Sequence, residues 1–192
     1  PSRIHFLKQL LDKLEQQIGD REDVEILSIT DNKSFSISEK RNILLLLARG
    51  THLTWIDDDD DISELYISTL TETIAKNPEV DVISFDQMCY LEGKVAKVFA
   101  KMGNPHDPVI LDSDDPTRYK DTLRPPYHWC CWKTSLAASE GFRSYDATGV
   151  GEDIDWLTRL YPKVHEAIYL EGHFLHIYRY SSVISESDLD SI

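Results

Sequence analysis

Apolar residues recur at helical spacing over residues 3 to 19. Phe6, Leu7, Leu10, Leu11, Leu14 and Ile18 share one face, and Gly19 ends the pattern. Val24 to Thr30 (VEILSIT) is a short apolar run of strand length that stops at Asp31. Ser36 and Glu39 form an S-x-x-E capping box, which opens a helix running through Arg49 with Gly50 as its stop. Leu53 to Ile56 predicts a short strand that runs directly into Asp57, Asp58, Asp59, Asp60 and Asp61. Ser63 to Lys76 reads as a helix closed before Pro78. Val80 to Tyr90 reads as a strand, Gly93 as a hairpin turn, and Val95 to Ala100 as the returning strand.

The first hundred residues therefore alternate helix and strand, a βαβ pattern with parallel strands and crossover helices. Sites in such sheets lie beyond the carboxyl ends of the strands. Asp31 and the Asp57 to Asp61 run both sit at such ends, so two acidic clusters converge on one edge. Residues 102 to 126 break the pattern with Pro105, Pro108, Pro116, Pro125 and Pro126, and predict a long loop in which Val109 to Leu111 is a short strand. Tyr127 to Trp132 reads as a strand and Thr134 to Ser139 as a short helix ended by Gly141. Glu152 to Leu160 predicts a helix stopped before Pro162, and Ala167 to Leu170 and Phe174 to Tyr178 predict closing strands. After Ser181 the chain turns polar and acidic. With no repeat and no linker, the expectation is one domain over residues 1–185 and a loose acidic tail over 186–192.

Composition narrows the function classes. At 192 residues the chain suits one domain with a substantial core. No apolar run approaches eighteen residues, so no membrane span is expected. The chain opens on Pro1 and not Met, which predicts that further residues precede it. Lys plus Arg is 20 against 34 Asp plus Glu, a formal net charge of −14. Such a chain repels a phosphate backbone, which argues against indiscriminate nucleic-acid binding but leaves room for a local basic pocket or a metal. The 3 cysteines are Cys89, Cys130 and Cys131. The odd count and the adjacent pair are poor disulfide geometry and predict small core residues in a reducing compartment.

Three stretches carry candidate chemistry. The aspartate run is a solvated patch if it lies on a free loop. At a strand end it aims carboxylates into a crevice, where Mg²⁺ or Mn²⁺ bridges one or two carboxylates to substrate phosphates. Lys40-Arg41-Asn42 falls in the first turn of a helix, where cations oppose the dipole, so helix stability does not explain them. Two cations beside free helix N–H groups suit a diphosphate. Gly149-Val150-Gly151-Glu152-Asp153 leads tightly into a helix whose acidic first turn complements the dipole, and an Asp aimed at the crevice there suits a general base. His128, His173 and His176 lie among Tyr127, Trp129, Trp132, Tyr178 and Tyr180, a composition that suits sugar stacking and equally suits a core.

Taken in order, these pieces resemble the family 2 glycosyltransferases of the GT-A fold. VEILSITD is similar to that family's second strand with its nucleotide-binding Asp. EKRNILLLLARGTHLTWIDDDDD resembles the stretch leading to the DxD motif, GEDIDWLTRL resembles the ED motif, and Leu175 to Tyr180 the final aromatic strand. Ser2-Arg3 resembles the segment after the first strand, which would then precede Pro1. The RPPYH segment is most similar to compact viral and phage members, including the chlorella-virus type.

The resemblance implies an α/β GT-A (Rossmann-like) fold, a mixed, mostly parallel sheet flanked by helices in a single domain. It implies that Asp31 bonds the uracil, that Arg41 lies by the nucleotide and that Asp57 faces the ribose. Lys40, Asp58 and Glu152 complete the nucleotide-sugar site. Asp59, with Asp60 and His176, would hold Mn²⁺ or Mg²⁺, and Asp153 would be the catalytic base. Five consecutive aspartates leave the metal register ambiguous by one residue.

The implied activity is metal-dependent inverting transfer of a sugar from a UDP-sugar to an acceptor hydroxyl, in the cytoplasm or, for a viral member, the host cytoplasm. The acceptor would be a glycan or another hydroxyl-bearing group, and the net charge makes a nucleic acid the less favoured choice. Two alternatives stay open. One is a non-catalytic acidic module that binds a cation such as Ca²⁺ or a protein partner. The other is a Mg²⁺-dependent nucleotidyltransferase, which the lack of a Gly-rich phosphate loop argues against.

Overall fold

The computed structural model describes residues 4–143 and 151–181. Ser2, Arg3, Gly149, Val150 and the tail from residue 182 lie outside the described residues. The elements in chain order are α1 (Ile4–Ile18), α2 (Ile37–Leu47), β1 (His52–Leu53), β2 (Asp61–Ile62), α3 (Tyr66–Lys76), β3 (Val82–Leu91) and β4 (Lys94–Ala100). β5 (Thr122–Arg124), β6 (Cys131–Lys133), α4 (Thr134–Ala138), α5 (Glu152–Leu160) and β7 (Ala167–Tyr180) follow, with a 3₁₀ turn at Tyr161–Lys163 before β7.

The result is a mixed α/β unit with one curled sheet of order β1-β6-β3-β4-β5, in which β7 lies against β3 and β2. β3 is the spine. It reads VISFDQMCYL and is buried along almost its whole length because it has neighbours on both edges. It runs parallel to β7 and antiparallel to β4 and β6.

Among the described strands the antiparallel pairings outnumber the parallel ones, four against two. The sheet is thus mixed as expected, but its parallel order does not come from successive βαβ units. Val24 to Thr30 is irregular and joins no ladder among the described residues. It is held by its side chains instead. Glu25 accepts from the Arg49 and Gly50 amides at 2.6 and 3.2 Å, which also draws the chain out of α2 before Gly50. Ala48, at the helix end, is already extended.

The closing pair of strands is one strand, β7, interrupted by a bulge. Leu170 pairs with Phe85 and Phe174 with Asp86, so residues 171 to 173 loop out. Gly172 turns there at φ 77°, a conformation that disfavours any side chain. The buried Asp86 carboxylate anchors the bulge, accepting from Tyr169 Oη at 2.7 Å and Gly172 N at 2.8 Å.

The core forms where α1 and α3 cover the sheet through Leu10, Leu14, Ile67 and Leu70, and where Trp55, Trp132, Phe142 and Trp156 interlock. Cys89, Cys130 and Cys131 are free and buried, and burial pushes the Cys131 thiol up to about 12. No helix among the described residues is long and apolar enough to cross a membrane.

Candidate active site

A cleft of about 2300 Å³ opens along the unpaired 24–30 segment and β1. Asp31, Lys40, Arg41, Asp57 to Asp60, Glu152, Asp153 and His176 all line it. Residues from five separate stretches of chain thus face one space. Within it they form three groups.

The first is at the mouth. Asp31 accepts the Phe35 amide at 2.8 Å and lies 3.4 Å from Lys40 Nζ. The Phe35 amide, followed by Lys40, holds the Asp31 carboxyl below the usual range. Lys40 sits in the first turn of α2, whose capping box is fully formed. Ser36 Oγ accepts from Glu39 N at 3.2 Å, and Glu39 Oε2 accepts from Ser36 N at 2.8 Å.

The second group surrounds Arg41. Its guanidinium is buried beside Phe142, with its carbon 5.4 Å from the ring centre. It donates to Glu152 Oε1 at 2.8 Å, lies 3.5 Å from Asp57 Oδ1 and meets His128 Nε2 at 3.2 Å. One cation thus ties α2, the aspartate turn and the start of α5 together. The tight entry to α5 depends on Gly151 at φ 90°. His128 Nδ1 lies 3.3 Å from Asp153 Oδ2, and Asp153 Oδ1 accepts from Ile154 N at 2.8 Å. Burial pushes the Asp153 carboxyl up, but the His128 contact and the Arg41 charge outweigh it and hold the group well below the carboxylate range. Glu152 moves the other way, because its burial outweighs Arg41.

The third group is Asp60 with His176. The aspartate run folds as a turn closed by Asp60 N donating to Asp57 O at 3.1 Å. This sends Asp57 to Arg41 and Asp60 to His176. There Asp60 Oδ2 lies 3.2 Å from His176 Nε2. Both residues are buried, at 5% and 1% exposure. Trp129 stacks on the imidazole at 5.3 Å and 9° between planes, and Gln87 Nε2 meets its Nδ1 at 2.9 Å. The Nε2 contact is short enough for an ion pair yet off the hydrogen-bond line, so this buried nitrogen has no directed partner. Burial pushes the Asp60 carboxyl up, against the pull of His176.

Asp61 belongs elsewhere. It enters β2 and pairs with Lys13 at 3.2 Å and Arg179 at 2.7 Å. Asp59 is buried beside Asp60, and Asp58 is half-buried. A carboxylate and an imidazole with an undirected nitrogen fit a divalent cation. Among the described residues no group of three or more such ligands is gathered.

The aromatic residues sort differently from a sugar platform. Trp129 and Trp132 are core, at 5% and 0% exposure, while His173 is exposed. His128 was one of several undistinguished histidines in the sequence. Its signal was the RPPYH stretch, in which Pro126 O accepts from Tyr161 Oη at 2.7 Å and fixes the segment against the core.

No family model matches the chain, and no curated protein matches it. Solved structures do. S. aureus TarS residues 1–349 in complex with UDP-GlcNAc superposes with TM-score 0.66 at 16% identity, over 98% of this chain and 58% of that one. The complex of TarS 1–349 with UDP gives 0.66 at 15% identity, over 93% of this chain and 58% of that one. A longer TarS structure gives 0.60 at 15% identity, over 92% of this chain and 34% of that one. These neighbours are bacterial, not the compact viral type that RPPYH resembles. The chain spans little more than half of the first two. At such identity the likeness shows the fold, a GT-A-like mixed sheet flanked by helices.

Proposed function

We propose that the chain is a metal-dependent inverting glycosyltransferase that moves a sugar from a UDP-sugar to an acceptor hydroxyl. The observation that carries this reading is the Arg41 bridge. By binding Asp57 and Glu152 together, it holds the aspartate turn and Asp153 at one cleft, in a fold similar to structures solved with UDP-GlcNAc and UDP.

In this reading Asp31 and Lys40 meet the nucleoside end of the donor at the mouth, with Asp57 and Asp58 further in. Asp153 takes the proton from the acceptor hydroxyl as its oxygen attacks the anomeric carbon. The diphosphate leaves from the opposite face, so configuration inverts. A single displacement needs one base and a stabilised leaving group, unlike hydrolysis with its paired acid and base. A depressed carboxylate stays ionised across the neutral range, ready to accept that proton. Arg41 ties Glu152, the residue before Asp153, to the aspartate turn at Asp57.

Asp60 and His176 are the residues that would hold Mn²⁺ or Mg²⁺, with Asp59 beside them. The ion supplies Lewis-acid stabilisation of the leaving diphosphate.

A thermal-shift panel tests the reading, using UDP, GDP, CMP and dTDP, each with and without Mn²⁺. Binding to the folded form raises Tm by mass action. The expected result is a shift that needs UDP and Mn²⁺ together, followed by slow release of UDP from UDP-GlcNAc or another UDP-sugar. A cation shift indifferent to nucleotide would replace this reading with a cation-binding module. A shift with a nucleoside triphosphate and release of pyrophosphate would replace it with a nucleotidyltransferase.

A further inference from the structure

We propose that His128 is a positioning residue for Asp153, a neutral imidazole whose proton is fixed on Nδ1 by Arg41 and presented to the carboxylate. The functional part of this rests on the reading of Asp153 as the base. The structural part stands without it.

The argument follows from which groups donate. A guanidinium has donors and no acceptor. Arg41 NH2 lies 3.2 Å from His128 Nε2, so that nitrogen must offer its lone pair. The ring proton of a neutral imidazole then sits on Nδ1. Nδ1 faces Asp153 Oδ2 at 3.3 Å, an acceptor. An imidazolium would set N–H against N–H and cation against cation at Nε2. The opposite tautomer would do the first and leave two lone pairs facing each other at Nδ1.

The charged and titratable groups around the ring comprise Arg41 from α2, Asp57 through Arg41, and Glu152 and Asp153 from α5. Tyr127 stands beside it, with Arg124 and His106 beyond. The ring is 12% exposed and Asp153 21%. The Nδ1 contact is close enough for an ion pair but off the hydrogen-bond line, so the ring is aimed at Asp153 without a directed bond. Contacts of this kind commonly tighten once a reactant occupies the site.

Asp153 is then faced at both oxygens, by the Ile154 amide bonded at 2.8 Å to Oδ1 and by the imidazole N–H 3.3 Å from Oδ2. The ring limits where the carboxyl group can turn, and the positive charge of Arg41 acts on it as well. Without His128 the carboxylate keeps one backbone donor in a desolvated place, so it becomes harder to ionise.

The test begins with the wild-type chain. Nitrogen-15 NMR of the histidine side chains at neutral pH, with His128 assigned through H128N, is expected to show the neutral Nδ1–H tautomer. An Nε2–H tautomer or an imidazolium would overturn the proposal. Carbon-13 titration of the Asp153 carboxyl follows in the wild type, H128L and H128N. H128L removes the donor, and H128N keeps one near the Nδ1 position. The expected midpoint rises in H128L and returns most of the way in H128N. A midpoint unmoved in H128L would overturn the positioning role.

Turnover of UDP-GlcNAc separates the two readings. The expected kcat loss in H128L is about tenfold or more, part of the 10²–10⁴ that a positioned base provides. KM for the donor stays within about twofold, and the acidic limb of the pH profile moves upward. If the wild-type chain turns over no UDP-sugar while the NMR results hold, the base reading fails and the tautomer relay stands.

Discussion

The two walls of the cleft solve the burial of charge in opposite ways. Around Arg41 the buried Glu152 carboxylate meets an opposite charge at 2.8 Å, so that pair is tied off. Asp60 and His176 are buried more deeply; Asp60 accepts the Arg179 amide at 3.2 Å, while its contact with His176 Nε2 is off the hydrogen-bond line, as the His128 Nδ1 contact is beside Arg41. Taking a charge out of water costs several kcal/mol unless geometry and further hydrogen bonds offset it. The Arg41 wall has that compensation within the protein. In the proposed reading, the Asp60 wall would gain it from a bound cation. In that reading the Arg41–Glu152 pair is the scaffold of this site, and the Asp60–His176 pair its binding half.

The largest effect that could break this comparison is chemical. D153N is expected to lower kcat by roughly 10²- to 10⁴-fold while the Mn²⁺-dependent UDP shift persists. Equal loss of both would show that Asp153 binds the donor. The same variant also has a pH signature. A carboxyl held below its ordinary value of 3.8 adds stability above that pH and loses it as pH falls through the folded value. The Tm of D153N should therefore lie below wild type at neutral pH, and the gap should close in acid.

Next in size is R41A, which leaves Glu152 buried without its cation. Its expected cost is about 3–5 kcal/mol, read by urea denaturation. The double variant R41M/E152L should recover much of that loss. Failure to recover would mean that Arg41 acts mainly through Asp57 and Phe142.

D60N on the other wall should behave in reverse. Removing a poorly compensated charge leaves the apo Tm unchanged or higher, by the equivalent of about 1 kcal/mol, while the Mn²⁺ dependence of UDP binding disappears. A large apo destabilisation would show that this wall is scaffold as well.

The smallest effect is expected at D61N. Its partner Arg179 is 39% exposed, so the pair should contribute less than about 1 kcal/mol in a double-mutant cycle. A value as large as that of Arg41 would remove the contrast between neighbouring aspartates.

Much of the architecture was legible because local rules and tertiary environment agreed. The capping box before Ile37, the amphipathic face of Leu10 and Leu14, and the helix from Glu152 to Leu160 lie where the spacing predicts. The acidic run also lies at the edge of the sheet and lines the cleft, as expected. The strand at Val24 to Thr30 was not legible in the same sense. Its composition is that of a strand, but a strand exists only with a hydrogen-bonding neighbour, and none of the described residues supplies one. The pattern predicts two closing strands, Ala167 to Leu170 and Phe174 to Tyr178, whereas the Asp86 carboxylate closes a bulge at Gly172 and pairing continues through it.

The sequence by itself therefore determined which residue types carry charge near strand and helix ends, and so which stretches could hold chemistry. It could not say which of five identical carboxylates faces which partner, since adjacent aspartates are equivalent in any local pattern. Only the turn from Asp57 to Asp60 sends one towards Arg41 and the other towards His176, and only the return of β7 beside β3 brings His176 there at all. His128 acquires its role in the same way. An imidazole's tautomer is set by the donors and acceptors at its two nitrogens, and here these come from α2 and α5, far away along the chain.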